Sequence, residues 1–215
     1  MPSQTLSLRF PELQHPQVTH AFTLRDPEAD PQRDARQALA AIDFPQDPLI
    51  LAAQPHSNQV ACVTTSDAGG EIPDVDGLLT NQAGLTLAIR CADCGPLFLL
   101  DPRRLAVGVL HSGKKGTQSN ILHQGIAAMQ QHFQTSTEDL IVVLGPCIRP
   151  PYYEVDFAAD IRRQALDEGL RHFYDCGENT ASHLNRFYSY RMEKGQTGRH
   201  YAAIRILPTS GLDVV

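Results

Sequence analysis

Three short apolar runs lie close together near the middle of the chain, at 84–90, 96–101 and 104–110. The first run, GLTLAIR, alternates apolar residues with smaller or polar ones, which is the period-two pattern of a strand. The other two, PLFLLD and RLAVGVL, have the length of buried strands, and the DPRR turn between them predicts a β-hairpin. The fold must therefore be built around a sheet.

The remaining elements surround this centre. A helix is predicted within 26–43, with Asp30-Pro31 at its start, because Asp suits the N-cap and Pro the first turn. The other predicted elements are strands at 19–25, 49–65 (strand, turn, strand) and 139–145, helices at 117–133 and 156–170, and a closing β-hairpin over 186–207. Strands dominate, so the sequence predicts an α+β fold, a single domain over 1–215 with mixed β-sheets and flanking helices.

Composition limits the possible classes of protein. The chain has 215 residues, 42% of them hydrophobic, and a formal net charge of -6, which argues against nucleic acid as a partner. It has no apolar run long enough for a membrane span, and MPSQTLSLRFPELQ does not resemble a signal peptide. Five cysteines at irregular spacing do not form a disulfide framework, so we expect a reducing, cytoplasmic location.

Three possible metal ligands fall at predicted junctions between strands and loops: His56, Cys94 and His111. Imidazole and thiolate suit zinc, and three protein ligands leave a fourth position for water or substrate, as in catalytic sites. The spacing matches no compact metal motif, so three unrelated residues remain an alternative interpretation. Cys91 and Cys94 form a C-x-x-C, but a strand rather than a helix follows, which argues against a thioredoxin-like redox pair.

Around these residues the chain resembles the YfiH-type family, also called the polyphenol oxidoreductase or laccase-domain family. The matching stretches are QPHSNQV, DVDGLLTN, GLTLAIRCADCGPLFLLDP, AVGVLHSGKKGT, VVLGPCIRPPYYEV and RFYSYRMEKGQTGR. They occur in the family's order and cover most of the chain from residue 54 onward. The resemblance implies a zinc site at His56, Cys94 and His111, and a fold related to the Cys–His hydrolase fold of certain bacterial toxins.

The resemblance also implies an activity. Phosphate would attack the ribose C1′ of adenosine, inosine, guanosine or methylthioadenosine, and adenosine deamination would accompany this phosphorolysis. Two further activities attach to the same family: copper-dependent, laccase-like phenol oxidation and the editing of peptidoglycan precursors. The partners implied are a nucleoside and phosphate, with the chain a monomer or a homodimer.

Phosphorolysis requires cationic side chains that bind the phosphate dianion, and the candidates are Arg25 and Lys115. Asn81 is a candidate for a hydrogen bond to a sugar hydroxyl. The family usually has Trp-Arg where this chain has Lys114-Lys115. Lys115 therefore keeps the charge of the family arginine but lacks its planar guanidinium, which can donate two hydrogen bonds to one anion. Cys94 and the adjacent Asp93 are the catalytic candidates, with Asp93 as a proton shuttle for deamination.

Other chemistries use the same residues differently. A metal-free cysteine hydrolase would use Cys94 as nucleophile and His111 as base. One copper ion fits a Cys-plus-two-His set as well as zinc does. A binding module with a structural zinc would need a fourth ligand, for which Cys91 is the candidate.

Overall fold

The computed structural model describes residues 6–208. The helices are α1 (Ala35–Ala40), α2 (Lys114–Gln118), α3 (Ile121–Phe133) and α4 (Phe157–Asp167). The strands are β1 (Ser7–Leu8), β2 (Val18–Thr23), β3 (Leu49–Ala52), β4 (Val60–Cys62), β5 (Glu71–Ile72), β6 (Gly77–Thr80), β7 (Thr86–Cys91), β8 (Gly95–Asp101), β9 (Ala106–Ser112), β10 (Ile141–Leu144), β11 (His172–Asp175) and β12 (His200–Ile206).

The strands form two six-stranded sheets, with the orders β1-β2-β12-β7-β3-β5 and β11-β10-β8-β9-β6-β4. Both sheets are mixed, since each combines antiparallel pairs with parallel ones, such as β3–β7 in the first and β10–β11 in the second. The predicted hairpin is present as the antiparallel pair β8–β9. The α+β fold class with mixed sheets is therefore confirmed.

Alternation along β8 shows how the layers pack. Phe98 and Leu100 belong to the buried cluster that also contains Leu87 and Ile204 of the first sheet, so the two sheets face each other. Leu97 and Leu99 point the other way, into a cluster with α3 and α4. The outer face of the first sheet packs against α1. Because β8 is covered on both faces, it is apolar at nearly every position.

Two helix predictions need correction. Helix α1 begins at Ala35 with Asp34 as its N-cap, rather than at Asp30-Pro31, because Asp34 and Gln37 form a reciprocal capping box. The helix predicted over 117–133 is two helices, broken at Asn120, which adopts a left-handed backbone with φ of 56°. The Asn120 side chain then accepts a hydrogen bond from the His123 amide and starts α3.

The predicted closing β-hairpin over 186–207 is wrong. Only β12 forms, and it lies between β2 and β7, antiparallel to both. The preceding residues fold around the Glu193 carboxylate, which accepts hydrogen bonds from the Ser189 amide (3.0 Å) and the Thr197 hydroxyl (2.6 Å). A side chain thus binds the Ser189 amide, a backbone donor of the kind that strand pairing uses.

In the part of the chain that the structure describes, none of the helices has the length and apolarity needed to cross a bilayer. The cytoplasmic location and the single domain over 1–215 stay predictions.

Two buried histidines are held neutral by their surroundings. His200 donates from Nδ1 to the Thr23 carbonyl (2.8 Å) and accepts at Nε2 from the Tyr188 amide (2.7 Å), while His20 accepts from the Phe10 amide (2.7 Å). Burial lowers the pKa of His200 to about 3. Burial, and then the charge of Arg9, lowers the pKa of His20 to about 4. Both imidazoles therefore resist protonation in the folded state.

This predicts acid destabilisation. In the unfolded chain a histidine has a pKa of about 6.5, so below that pH the unfolded state binds a proton that the folded state does not bind. The free energy of unfolding therefore falls as pH falls. From pH 7.5 to 5, we expect His20 alone to cost about 2 kcal/mol of unfolding free energy. Urea unfolding at both pH values gives the free energy of unfolding of wild type and of His20→Gln. The difference between the two proteins should change by this amount from pH 7.5 to pH 5. His132→Gln, at an exposed position, is the control, and its difference in unfolding free energy from wild type should be the same at both pH values. The same constancy in His20→Gln would refute the prediction.

Candidate metal centre

The structure brings His56, Cys94 and His111 together, with one potential ligand atom from each lying within 4.8 Å of the others. Cys94 directly precedes β8, and His111 lies in β9 opposite Pro96, so the hairpin register places these two side by side. His56 comes from the loop between β3 and β4, which belong to different sheets. Rigid strands thus position all three side chains.

The loops around this group adopt restricted backbone conformations. His56 and Asp93 have positive φ angles of 67° and 90°, a region that non-glycine residues occupy at a cost of about 1–3 kcal/mol, often at functional sites. Gly113 is needed for a different reason. A Cβ atom added there would lie 2.4 Å from the Cys94 sulfur, so only glycine leaves room for the thiol in its present place.

Asp76 was missed by the sequence analysis and organises both histidines. Its side chain is fully buried, and its Oδ1 accepts from the His56 amide (3.1 Å) and from His111 Nδ1 (2.9 Å). Its Oδ2 accepts from the Ser57 amide (2.6 Å) and hydroxyl (3.0 Å). One carboxylate therefore fixes the backbone of one potential ligand and the ring of another.

The bond to Asp76 also sets the tautomer of His111. With Nδ1–H donated to the carboxylate, Nε2 is left to face the cysteine, as in the carboxylate–histidine–zinc arrangement of many metal sites. The signal in the sequence was an acidic residue directly before the buried strand β6.

Electrostatics favour a thiolate. Burial alone would raise the pKa of Cys94, but hydrogen bonds and charge from His111 and His56 outweigh it and lower the pKa to about 6. Burial would lower the pKa of His111, but its bonds to Asp76 and Cys94 raise it to about 9. A thiolate flanked by two imidazoles is a donor set that suits zinc.

A cavity of about 710 Å³ opens over this group. Its lining mixes cationic side chains with apolar and aromatic ones, and Arg191 and Arg199 lie over the rings of Tyr153 and Tyr190. The cationic residues are Arg90, Lys114, Arg191, Lys194 and Arg199, and the apolar or aromatic residues include Ile148, Tyr153, Phe157 and Tyr190. The volume is in the range of small-molecule sites.

Asp93 lines the cavity, but its carboxylate already has partners. It accepts from the Thr180 hydroxyl (2.7 Å) and from the Arg191 amide (2.7 Å). These bonds join the Cys94 loop to two distant segments, which gives Asp93 a clear positional role. Its function as a proton shuttle stays a prediction.

The predicted phosphate and sugar ligands lie outside the cavity walls. Arg25 pairs with Glu193 at 2.6 Å and stacks over Tyr188 with its guanidinium carbon 4.4 Å from the ring centre. Lys115 and Asn81 are exposed, and neither lines the cavity. Their roles in binding stay predictions, while Lys114, the neighbour of Lys115, does line it.

Cys91 lies outside the ligand group. It is a free, buried thiol, and burial raises its pKa well above the ordinary value. Within residues 6–208, the group that could hold a metal contains only His56, Cys94 and His111. This arrangement is that of an open site and gives no support to a structural zinc with Cys91 as fourth ligand.

Comparison with known proteins finds a matching family model and several relatives by sequence. The family model described as multi-copper polyphenol oxidoreductase laccase matches residues 14–165 and 155–207. The chain is 28% identical over 218 residues to the purine nucleoside phosphorylase YlmD of Geobacillus stearothermophilus, covering 83% of this chain and 80% of that protein. It is 30% identical over 188 residues to the purine nucleoside phosphorylase YlmD of Bacillus subtilis, covering 70% and 68%.

The fold has a close counterpart among solved structures. The crystal structure of YlmD from Geobacillus stearothermophilus superposes with a TM-score of 0.82 at 24% sequence identity, covering 93% of this chain and 94% of that one. The likeness supports the two-sheet architecture, which is the frame that holds the His-Cys-His group.

Proposed function

Because this chain belongs to the multi-copper polyphenol oxidoreductase laccase family and its relatives are named purine nucleoside phosphorylase, we propose that it is a zinc-dependent purine nucleoside phosphorylase. The observation that carries the proposal is the cavity itself. It combines a His-Cys-His group with cationic and aromatic side chains, which suit a metal, a phosphate and a purine base.

The donor set fits zinc. Two imidazole nitrogens and a thiolate are ordinary zinc ligands, and the Asp76–His111 bond supplies the oriented tautomer that such a site requires. A zinc ion held by His56, Cys94 and His111 would supply a Lewis acid with a free coordination position, at which a water or substrate oxygen is polarised.

In the proposed reaction, the bond between the ribose C1′ and the purine nitrogen breaks while a phosphate oxygen forms a new bond to C1′. The base leaves with the electron pair of the broken bond and takes up a proton. The cationic side chains of the cavity would hold the phosphate dianion, and the aromatic side chains of Tyr153, Phe157 and Tyr190 would hold the base by stacking and apolar contact. Adenosine, inosine, guanosine and methylthioadenosine are the proposed substrates.

Adenosine deamination is the companion activity that we propose for the same cavity. It needs an activated water and a group that moves its proton. Asp93 is the carboxylate in the cavity wall, one residue from Cys94, and is our candidate for that group. Because both Asp93 oxygens already accept hydrogen bonds, we expect deamination to be the slower of the two activities.

The test is product analysis. Pure zinc-loaded protein incubated with adenosine should release adenine and ribose 1-phosphate only when phosphate is present, and inosine with or without it. Chromatography resolves these products, and Cys94→Ser should abolish all of them, since it removes the thiolate ligand. If none of the four purine nucleosides gave a product, the proposal would be disproved.

Copper-dependent phenol oxidation makes a different prediction. Laccase-type clusters use many histidines, whereas in residues 6–208 a single three-ligand group is found. Oxidation of a phenol by the copper-loaded protein, with no nucleoside turnover by the zinc-loaded one, would favour that alternative. Editing of peptidoglycan precursors by a metal-free Cys94 nucleophile would instead require activity that survives a chelator.

A further inference from the structure

The charge of the cavity wall is opposite to that of the whole chain. Five cationic side chains and one carboxylate, Asp93, line the cavity, although the chain carries a formal net charge of -6. Two of the five are offset by carboxylates, since Arg90 pairs with Glu71 and Arg191 pairs with Glu154. The remaining positive charge is therefore a local feature of the cavity.

The other three cations, Lys114, Lys194 and Arg199, have no carboxylate within ion-pair distance among residues 6–208. Arg199 is held in place instead, because its guanidinium donates to the carbonyls of Thr197 (3.2 Å) and Gly198 (2.9 Å). Lys114 and Arg199 are half-buried, and Lys194 is exposed at the rim. Partly desolvated cations with no counter-charge are arranged for an anion.

Lys114 and Arg199 lie on segments that adjoin the metal centre. Lys114 comes three residues after His111, at the point where β9 ends and α2 begins. Arg199 directly precedes His200, which pairs with Cys91 in the neighbouring strand, three residues before Cys94. An anion on this wall would thus adjoin the His-Cys-His group.

We propose that Lys114 and Arg199, with Lys194 at the rim, form a subsite for a phosphate dianion. The proposal rests on the proposed function, in which phosphate is the second substrate. It selects Lys114 where the sequence pattern favoured Lys115. Of the two lysines, Lys114 lines the cavity and Lys115 is exposed outside it, which agrees with successive side chains pointing about 100° apart on a helix.

The lysine content allows a direct test, because the chain contains only three lysines, at 114, 115 and 194. The zinc-loaded protein is acetylated with a limiting reagent, with and without inorganic phosphate at constant ionic strength, and each site is quantified by mass spectrometry. Phosphate should slow labelling of Lys114 and Lys194 and leave the exposed Lys115 unchanged. Protection of Lys115 alone, or of none of the three, would overturn the proposal.

A binding measurement separates the subsite from the activity. Isothermal titration of zinc-loaded protein with inorganic phosphate should show about ten- to hundredfold weaker binding for Lys114→Met, the loss expected for one charged hydrogen bond. Arg104→Met, which removes the same charge at an exposed position, should bind as the wild type does. A phosphate affinity unchanged in Lys114→Met, or lost in Lys115→Met instead, would show that the subsite is wrong.

The two proposals can fail separately. Wild-type protein that binds phosphate at this wall but cleaves no nucleoside would refute the proposed function and leave the subsite standing. Adenosine 5′-monophosphate is titrated in parallel, because an ester phosphate offers the same dianion as free phosphate. A Lys114→Met defect confined to the nucleotide would overturn the subsite for free phosphate and assign Lys114 to a phosphate carried by the substrate.

Discussion

Replacing Asp76 with Asn should weaken zinc binding by about 10- to 100-fold, the usual loss when the group that orients a histidine ligand is changed. The carboxylate accepts four hydrogen bonds, from His56, His111 and two groups of Ser57. The asparagine side chain has only one acceptor oxygen, so its NH₂ group must replace one carboxylate oxygen and face the donors that this oxygen had bound. At least one buried donor then loses its partner, at about 1–3 kcal/mol of stability.

The measurement is competition with a chromophoric chelator, which gives the zinc affinity, together with the thermal midpoint of the metal-free protein. Asp74→Asn is the matched control, since it makes the same chemical change two residues away at an exposed position. We expect the control to bind zinc as the wild type does. An Asp76→Asn protein with wild-type zinc affinity would show that the carboxylate does not position the ligands.

Replacing Gly113 with Ala should remove most of the bound zinc while leaving the fold in place. The new methyl group would lie 2.4 Å from the Cys94 sulfur and 3.4 Å from its Cβ, so the thiol must rotate away. The backbone of Gly113 is extended, with φ of -102° and ψ of -167°, and accepts alanine without strain. The expected effect is therefore at least a tenfold loss of zinc affinity, since one of three ligands is displaced.

Zinc content after dialysis and the thermal midpoint without metal together test this prediction. Gly70→Ala is the control, because a Cβ there meets only the Asp67 carbonyl oxygen at 3.6 Å. A Gly113→Ala protein that retains one zinc per chain would mean that Cys94 is not a ligand in its present position. Loss of zinc accompanied by unfolding would point to packing instead.

The parts of the fold that the sequence predicted are those governed by local pattern. The β8–β9 hairpin follows from two apolar runs and a tight turn, and it formed as predicted. The segment before β12 did not form a strand, because the carboxylates of Glu193 and Asp93 take its backbone and hydroxyl donors. The bond to Asp93 joins residues 98 positions apart, and the two bonds to Glu193 are local side-chain contacts, so none of the three leaves a periodic signal.

The same distinction holds at the candidate site. Residue type and position near strand ends made His56, Cys94 and His111 candidates, and the family resemblance favoured their binding one metal. Asp76 was missed, since its partners lie up to 35 positions away and its own surroundings resemble an ordinary acidic loop. The choice of Lys114 over Lys115 depends on where α2 begins, to within one residue, and pattern alone does not fix that point.

The most direct test of the metal centre is zinc K-edge absorption of protein purified without added metal, together with metal analysis. We predict one zinc per chain, with one sulfur at about 2.3 Å, two imidazole nitrogens at about 2.0–2.1 Å and one further light atom. The single sulfur would identify Cys94 as the only thiolate ligand and leave the fourth position for substrate or water. Two sulfurs, copper in place of zinc, or a chain with no stoichiometric metal would contradict the assignment of His56, Cys94 and His111 as an open zinc site.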